Sequence, residues 1–387
     1  MYQIKTLNSI SSKGLERLSQ NLFSIDEEGA APQGILVRSA SMHDTPLPES
    51  LLAIARAGAG TNNIPVDACS EAGIVVFNTP GANANAVKEL VLAGLILAGR
   101  RVSEGAAWAK TLIGQGDAVA KLVEKGKGQF VGPELAGKKL GVVGLGAIGV
   151  RVANMATHLG MEVLGYDPYL SIENAWSLSR SVRHCVDLGD LAAQCDFITL
   201  HLPVTGDTKG FVNETLIGRM KHGVRILNFA RGELVQTEAM LAALATGRVA
   251  CYVTDFPTEP FLKAEGAVCL PHLGASTPES EENCAAMAAD ALREYLLNGN
   301  IVHSVNLPNV SMPRAGMSRV CAIHRNMPGT IAAITDVAGK AGLNIENLVN
   351  KSRGDYAYTM LDIGGRADEA IAARMMEVPN VIRVRVV

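Results

Sequence analysis

Three residues in the second half of the chain, Arg231, Glu259 and His272, have side chains that could move a proton beside a bound carboxylate. A guanidinium holds a carboxylate through two parallel hydrogen bonds. An imidazole exchanges a proton near neutral pH, and a carboxylate beside it orients the ring and favours its charged form. Taken singly, the three could be a surface arginine, a loop glutamate and a core histidine. Taken together, they are the groups that hydride transfer to a 2-oxo acid requires.

A glycine-rich loop upstream of these residues predicts a dinucleotide site. Gly144-Leu145-Gly146-Ala147-Ile148-Gly149 follows a predicted strand at 140–143 and opens a helical pattern. Its glycines permit a tight turn, approach of a pyrophosphate to the backbone and close packing of helix on strand. Asp167 ends the next predicted strand, where it would accept hydrogen bonds from a ribose. Since Pro168 follows and no arginine does, we expect NAD rather than NADP. The alternative is a glycine-rich turn in an unrelated α/β protein.

The composition restricts the kind of protein further. With 387 residues, 48% of them hydrophobic and 19% charged, the chain is long enough for two or three globular domains. A formal net charge of -3 gives no support for nucleic acid as a partner. Seven cysteines without Cys-x-x-Cys spacing predict reduced thiols in the cytoplasm and no metal site. The N-terminus lacks a secretory pattern, and the longest apolar run, 90–98, is too short to cross a membrane.

Apolar runs that alternate with helical periodicity predict an α/β protein with two doubly wound, Rossmann-like parallel sheets. In the second domain the predicted strands are 140–143, 162–166, 197–200, 224–229, 250–254 and 268–270. Beyond a segment with two prolines, the pattern changes to the βαββαβ order of a ferredoxin-like domain. The expected division is a discontinuous substrate domain at 1–87 and 271–305, a dinucleotide domain at 88–270, a linker at 306–317 and a C-terminal domain at 318–387.

Three loops of the first domain are candidates for substrate contacts. They follow apolar runs such as 35–37 and 74–77, which are typical of buried parallel strands. In an open α/β sheet, ligands bind beyond the carboxyl ends of the strands. The candidate residues in these loops are Arg38, Ser39, Arg56, Ala59, Gly60 and Asn83. For the two arginines, the alternative is a solvated loop end.

Together these motifs resemble the D-isomer-specific 2-hydroxyacid dehydrogenase family over residues 35 to 308. The marks are 132–138 leading into the glycine loop, His201-Leu202-Pro203, 229–232, 255–260 and Pro271-His272. The resemblance implies an NAD-dependent oxidoreductase with Arg231, Glu259 and His272 as catalytic residues and Asp255 at the nicotinamide amide. The cofactor residues it implies are Gly144, Gly146, Ala147, Ile148, Gly149, Asp167, Pro168, His201, Pro203, Ala230, Asp255 and Gly274.

Within that family, the first-domain loops are similar to those of members that oxidise 3-phospho-D-glycerate. The resemblance implies that Arg38 and Ser39, with Ala59, Gly60 and Asn83, contact the phosphate and carboxylate, and that Arg56 is a second phosphate ligand. One alternative is a related dehydrogenase for glyoxylate, hydroxypyruvate or lactate. Another is an NADH-sensing, corepressor-like protein on the same scaffold.

The C-terminal segment resembles an ACT regulatory module, a small-molecule-binding domain that pairs between subunits. By this resemblance His324, Asn326 and Asn344 would bind L-serine, and the protein would form a homo-oligomer, with a tetramer favoured. The alternative is a module that only mediates assembly. Lys88 departs from the family pattern, and Lys121, Lys125 and Lys127 form either a solvated face or a phosphate contact across a subunit boundary.

Overall fold

The computed structural model describes residues 1–387, which form two compact units. Unit 1 comprises Met1–Asn83 and Pro278–Val387, and unit 2 comprises Ala84–Thr277. The C-terminal residues, expected as a domain of their own, therefore group with the N-terminal sheet. None of the helices combines the length and apolarity that crossing a bilayer requires. All seven cysteines are free.

The N-terminal part of unit 1 is a parallel sheet of five strands in the order β2-β1-β3-β4-β5. Every residue of β3 and β5 is buried, as expected for parallel strands covered on both faces. The elements are β1 (Tyr2–Leu7), α1 (Ser12–Leu15), β2 (Phe23–Ile25), β3 (Gly34–Val37), β4 (Ala53–Arg56), α2 (Val66–Glu71) and β5 (Val75–Phe77).

Unit 2 is built on a parallel sheet of seven strands, which confirms the predicted α/β class. The strands are β6 (Lys139–Val143), β7 (Glu162–Tyr166), β8 (Arg183–His184), β9 (Phe197–Leu200), β10 (Val224–Asn228), β11 (Val249–Thr254) and β12 (Ala267–Cys269). Their order is β12-β11-β10-β9-β6-β7-β8, so the direction of winding reverses between β6 and β9. The six predicted strands lie within one residue of the observed ones. The two-residue edge strand β8 was not predicted, because it is exposed and polar.

Helices cover the sheet of unit 2. They are α3 (Ala84–Gly99), α4 (Val102–Lys110), α5 (Val119–Gly126), α6 (Ala147–His158), α7 (Ile172–Ser177), α8 (Leu188–Gln194), α9 (Glu214–Arg219), α10 (Thr237–Ala245) and α11 (Glu259–Lys263). Short 3₁₀ helices lie at Gly116–Ala118, Lys127–Phe130 and Gly232–Leu234. Helix α3 contributes Val87, Val91 and Leu95 to the core beneath β6 and β10.

The rest of unit 1 is the long helix α12 followed by the C-terminal module, by which we mean residues 318–387. The elements are α12 (Pro278–Asn298), β13 (Ser318–Arg325), α13 (Thr330–Lys340), β14 (Ile345–Arg353), β15 (Tyr356–Ile363), α14 (Glu369–Met376) and β16 (Val381–Val386). Strands β13 to β16 form an antiparallel sheet in the order β14-β15-β13-β16. The predicted βαββαβ order of elements is confirmed.

Both faces of this antiparallel sheet are buried at its central strands β13 and β15, whereas edge strand β14 is largely exposed. One face, with Val320 and Leu361, packs against α13 and α14. The other face, with Ile323 and Tyr358, shares a hydrophobic core with Tyr295 of α12 and with the N-terminal sheet. The C-terminal module is therefore continuous with the core of unit 1.

Polar contacts tie the C-terminal module to the last turn of α12. Arg385 Nη2 donates to the Leu296 carbonyl at 3.0 Å, and Tyr358 OH donates to Gly299 O at 2.6 Å. Arg319 Nη1 donates to Asn298 O at 2.9 Å. Arg319 also forms a fully buried, bidentate ion pair with Asp362. These donors satisfy carbonyls that a helix end leaves unpaired, and cations at this end favour the helix dipole.

The segment predicted as a linker, 306–317, is held along its length. Asn306 is 8% exposed, and its side chain accepts from Val76 N and donates to Ile74 O, both at 2.9 Å. Ala315 N donates to Asp362 at 2.8 Å. The two prolines that suggested a linker therefore lie in a strap whose polar groups are hydrogen-bonded to the rest of unit 1.

Candidate active site

The glycine loop of unit 2 has the geometry of an anion-binding turn. Gly144 has φ of +91°, and a Cβ there would lie 2.6 Å from the His201 carbonyl oxygen. A Cβ on Gly149 would overlap the Gly144 carbonyl, so α6 can approach β6 only with glycine at that position. A Cβ on Gly146, by contrast, would meet no atom within 4 Å. Gly146 therefore borders open space at the N-terminus of α6, where no side chain caps the first turn.

Asp167 lies beside this loop. Its carboxylate accepts hydrogen bonds from Leu145 N and Tyr169 N, both at 2.8 Å. Each oxygen keeps a further lone pair, as contact with a ribose hydroxyl would require. Pro168 and Tyr169 are exposed.

His201 follows β9 at the point where the winding of the sheet reverses. Its Nε2 lies 3.0 Å from Thr199 Oγ1, and its Nδ1 is buried without a hydrogen-bond partner. Burial lowers the pKa of His201 to about 3, so the ring is neutral at physiological pH. Pro203, two residues on, is exposed.

Three predicted site residues come together at one edge of the sheet of unit 2. Arg231, Asp255 and His272 follow β10, β11 and β12, which are adjacent and parallel. Arg231 and His272 are exposed, and the His272 ring lies 4.8 Å from that of Phe256. Neither oxygen of Asp255 has a hydrogen-bond partner. Burial raises the pKa of Asp255, while the charges of His272 and Arg231 act in the opposite direction.

The structure does not join Glu259 to His272 by a hydrogen bond or ion pair. Glu259 begins α11 and pairs with Lys263 one turn further on. Both side chains of that pair are exposed, which is the usual situation of an i,i+4 pair on a helix surface. Instead, the Asp255 carboxylate interacts electrostatically with His272.

Asn228 is a site residue to which the sequence assigned no role. It is fully buried at the end of β10, and its amide donates to Arg231 O at 2.8 Å and accepts from Ala230 N at 3.2 Å. The Arg231 side chain makes one bond of its own, from Nη1 to Ala230 O. Asn228 thus fixes the turn that carries Arg231. A polar residue closing an apolar run was the available signal.

The loops of unit 1 also meet at one sheet edge, because β3, β4 and β5 are adjacent and parallel. Asn8, with φ of +70°, accepts from Ser39 N at 3.1 Å, and Asn78 donates to Ala59 O at 2.6 Å. Arg56 donates to Arg38 O at 3.0 Å and to Gly60 O. Arg56 therefore braces two loops, a structural role beyond the phosphate contact that was expected. Asn83 is half-buried after the turn that follows β5.

The Arg38 guanidinium points to α12. Its Nη2 donates to Oε1 of Glu281 in the first turn of that helix. No feature of the sequence predicted this pair, whose members are 243 residues apart.

The three residues expected to bind an effector each have a partner in the C-terminal module. His324 is 2% exposed, with Nδ1 2.8 Å from Arg325 O and Nε2 2.9 Å from Thr359 Oγ1. Asn326 donates to Gly354 O at 3.3 Å, and Asn344 donates to Glu346 Oε1 at 3.1 Å. Both asparagines are exposed, so only they present polar atoms to solvent.

Residues 93–274 match the model of the D-isomer specific 2-hydroxyacid dehydrogenase NAD binding domain. The D-3-phosphoglycerate dehydrogenase of Escherichia coli K12 is 35% identical over 354 residues, covering 87% of this chain and 82% of that protein. An NAD⁺-bound 3-phosphoglycerate dehydrogenase from Entamoeba histolytica aligns with a TM-score of 0.58 at 26% identity, over 79% of this chain and 98% of that one. A glyoxylate reductase from Paecilomyes thermophila aligns with a TM-score of 0.64 at 28% identity, over the same shares.

Proposed function

This chain belongs to the D-isomer-specific 2-hydroxyacid dehydrogenase family and is an NAD-dependent dehydrogenase, and we propose that it oxidises 3-phospho-D-glycerate to 3-phosphohydroxypyruvate. That reaction is the first step of phosphorylated L-serine biosynthesis. The proposal is carried by the shared edge of β10, β11 and β12, which brings Arg231, Asp255 and His272 together. The similarity to D-3-phosphoglycerate dehydrogenases over most of the chain supports the choice of substrate. We propose a cytoplasmic enzyme that assembles as a homo-oligomer, with a tetramer favoured.

The residues of unit 2 fit NAD(H). Backbone N–H groups at Gly146 and the first turn of α6 would hold the pyrophosphate, and Asp167 would accept from the adenosine ribose. When bound, NAD⁺ would supply the acceptor for the hydride that leaves C2 of the substrate. A 2′-phosphate would meet the Asp167 carboxylate, so we propose NAD rather than NADP. His201, Pro203, Ala230 and Gly274 are the further cofactor contacts that we propose.

His272 would take the proton from the C2 hydroxyl as the hydride leaves, and would return it in the reverse reaction. Arg231 would bind the substrate carboxylate with the donors that its bond to Ala230 leaves available. Asp255 would contact the nicotinamide amide, and its unpartnered oxygens fit such a role. Replacing His272 by Ala should lower kcat by about 10²–10⁴ with NADH affinity largely kept.

Glu259 would assist His272 only after turning toward that ring, because in the structure it pairs with Lys263 instead. If it does so during turnover, Glu259→Gln should lower kcat by about tenfold or more, since an oriented proton acceptor contributes on this scale. Lys263→Ala, which frees the carboxylate, is the matched control and should retain activity. Equal rates for Glu259→Gln and the wild type would leave Asp255 as the only carboxylate that acts on His272.

In unit 1, we propose that Arg38 and Ser39, with Ala59, Gly60 and Asn83, recognise the phosphate tail. A second candidate is a related enzyme for an unphosphorylated acid such as glyoxylate, hydroxypyruvate or lactate. The ion pair of Arg38 with Glu281 favours that candidate, because it occupies the phosphate-binding group. An NADH-sensing role without turnover has no observation in its favour.

For the C-terminal module we propose a regulatory role with L-serine as effector, held by Asn326 and Asn344 beside His324. Isothermal titration with L-serine, using the wild type and Asn344→Ala, tests this role. Absence of serine heat in the wild type would leave the module with a function in assembly alone.

The decisive experiment is NADH oxidation by the purified protein with 3-phosphohydroxypyruvate, hydroxypyruvate, glyoxylate, pyruvate and 2-oxoglutarate, each with and without L-serine. We expect the highest kcat/KM for the phosphorylated acid. A clear preference for an unphosphorylated acid would preserve the family chemistry and refute the proposed substrate.

A further inference from the structure

The ion pair of Arg38 with Glu281 is the starting point. Arg38 follows β3, and Glu281 lies in the first turn of α12, so both belong to unit 1. Each side chain is 41% exposed. A solute anion can therefore reach the pair without any rearrangement of the core.

Glu281 is the only acceptor that the Arg38 guanidinium has. Arg56, the other arginine of these loops, donates to the carbonyls of Arg38 and Gly60 and so braces the backbone. The group best placed to bind an anionic tail thus already holds a carboxylate of its own chain.

A bound phosphate tail and Glu281 would compete for the same donors. A phosphate carries about -1.5 to -2 charges near pH 7 and favours the bidentate fork of arginine. Once displaced, the Glu281 carboxylate would remain nearby and repel the dianion. An unphosphorylated tail would meet neither the competition nor the repulsion.

We propose that Glu281 is an intramolecular counter-ion that a phosphate tail must displace from Arg38, and that it sets the preference between phosphorylated and unphosphorylated 2-hydroxy acids. This inference rests on the proposed function, in which Arg38 recognises the tail. It makes Glu281 a specificity-determining residue outside the catalytic groups of unit 2.

Glu281→Gln tests the proposal, because glutamine keeps an acceptor for Arg38 and removes the charge. We expect KM for 3-phosphohydroxypyruvate to fall by about two- to fivefold, the effect of an exposed ion pair, with kcat unchanged. KM for hydroxypyruvate should stay the same.

Glu282→Gln is the matched control. It removes the same charge from the next residue of α12, whose partner is Lys13. It should leave both KM values unchanged. Equal effects of the two variants would overturn the proposal. They would indicate that any negative charge on α12 weakens binding of the phosphate tail, without competition for Arg38.

A second measurement separates failure of this inference from failure of the proposed function. Inorganic phosphate is tested as an inhibitor of whichever acid is turned over, and Glu281→Gln should lower its inhibition constant about two- to fivefold. With Arg38→Ala as background, Glu281→Gln should have no further effect, because the two residues act as one pair.

If no variant turns over the phosphorylated acid, the proposed substrate is refuted, and the inhibition constants for phosphate still test the counter-ion role of Glu281. Unchanged phosphate inhibition in Glu281→Gln would refute the counter-ion role.

Discussion

At the scale of single residues, the groups that follow β10, β11 and β12 differ most in their exposure to solvent. Arg231 and His272 are exposed, whereas Asp255 is 1% exposed and neither of its carboxylate oxygens makes a hydrogen bond. Such a carboxylate destabilises the folded state when ionised and is usually retained for function. The ionised Asp255 carboxylate therefore lowers the stability of the folded state at the place where we propose that the cofactor binds.

Replacing Asp255 by Asn should raise stability and lower activity. The folded-state pKa of Asp255 is raised by burial, so the stability its protonated form contributes is lost as pH rises through that pKa. Removing the charge should raise the melting temperature at pH 8 by about 2–4 °C, and the gain should vanish below the ordinary aspartate pKa. Calorimetry across pH measures this effect. Asp117→Asn, in an exposed 3₁₀ helix, is the control. An equal rise in its melting temperature would show that the rise does not come from the burial of the Asp255 charge.

At the scale of elements, the loop between β6 and α6 contains glycines that the fold requires and one glycine that it does not require. Gly149 and Gly144 are required by the packing of the turn, whereas Gly146 faces open space. The glycines of one motif thus serve different purposes, as the motif predicted: Gly144 and Gly149 allow close packing, and Gly146 leaves open space.

Gly146→Ala should fold normally and bind NADH poorly. The added methyl group meets no protein atom but lies where a pyrophosphate would approach. We expect a melting temperature close to that of the wild type and a Kd for NADH raised about tenfold or more, equivalent to about 1.4 kcal/mol. Fluorescence titration with NADH provides the measurement. Gly149→Ala should instead lose stability, and tight NADH binding by Gly146→Ala would contradict this position for the pyrophosphate.

The sequence predicted elements better than contacts between them. Short apolar runs that alternate with helical segments predicted β6, β7 and β9 to β12, because buried parallel strands need little beyond apolar residues. Glu259 was expected beside His272 from a family resemblance, although Lys263 four residues on offered a local partner. The Arg38–Glu281 pair depends on where α12 begins over the sheet, which no local pattern encodes. The same limit applies to Asn8, which bonds to Ser39 31 residues away, whereas the contacts of Asn228 are local.

At the scale of the whole molecule, the C-terminal module and the N-terminal sheet share one core in unit 1. The sequence separated them because the prolines of 306–317 suggested a linker. Continuous apolar runs such as 320–323 predict a strand that is covered on both faces, but they do not indicate what covers it. Here one face is covered by α12 and the core beneath it.

Breaking the buried pair of Arg319 and Asp362 should destabilise unit 1. Asp362→Asn leaves the Arg319 charge buried without a counter-charge, and we expect a loss of about 3–5 kcal/mol in the free energy of unfolding. Urea denaturation followed by circular dichroism measures the loss. Asp336→Asn, which removes an exposed pair with Lys340 in the same module, should cost less than about 1 kcal/mol. Similar losses for both variants would show that the buried pair contributes no more to stability than the exposed one.

The contacts at the end of α12 also bear on how this protein could be recombined with its relatives. Arg385, Arg319 and Tyr358 donate to carbonyls at Leu296, Asn298 and Gly299. In a hybrid joined within residues 306–317, the donors of the C-terminal module would come from one parent and the end of α12 from the other. A cut before Pro278 would transfer α12 and the module from one parent, so these contacts would stay together, but the core that they share with the N-terminal sheet would then combine residues of both parents.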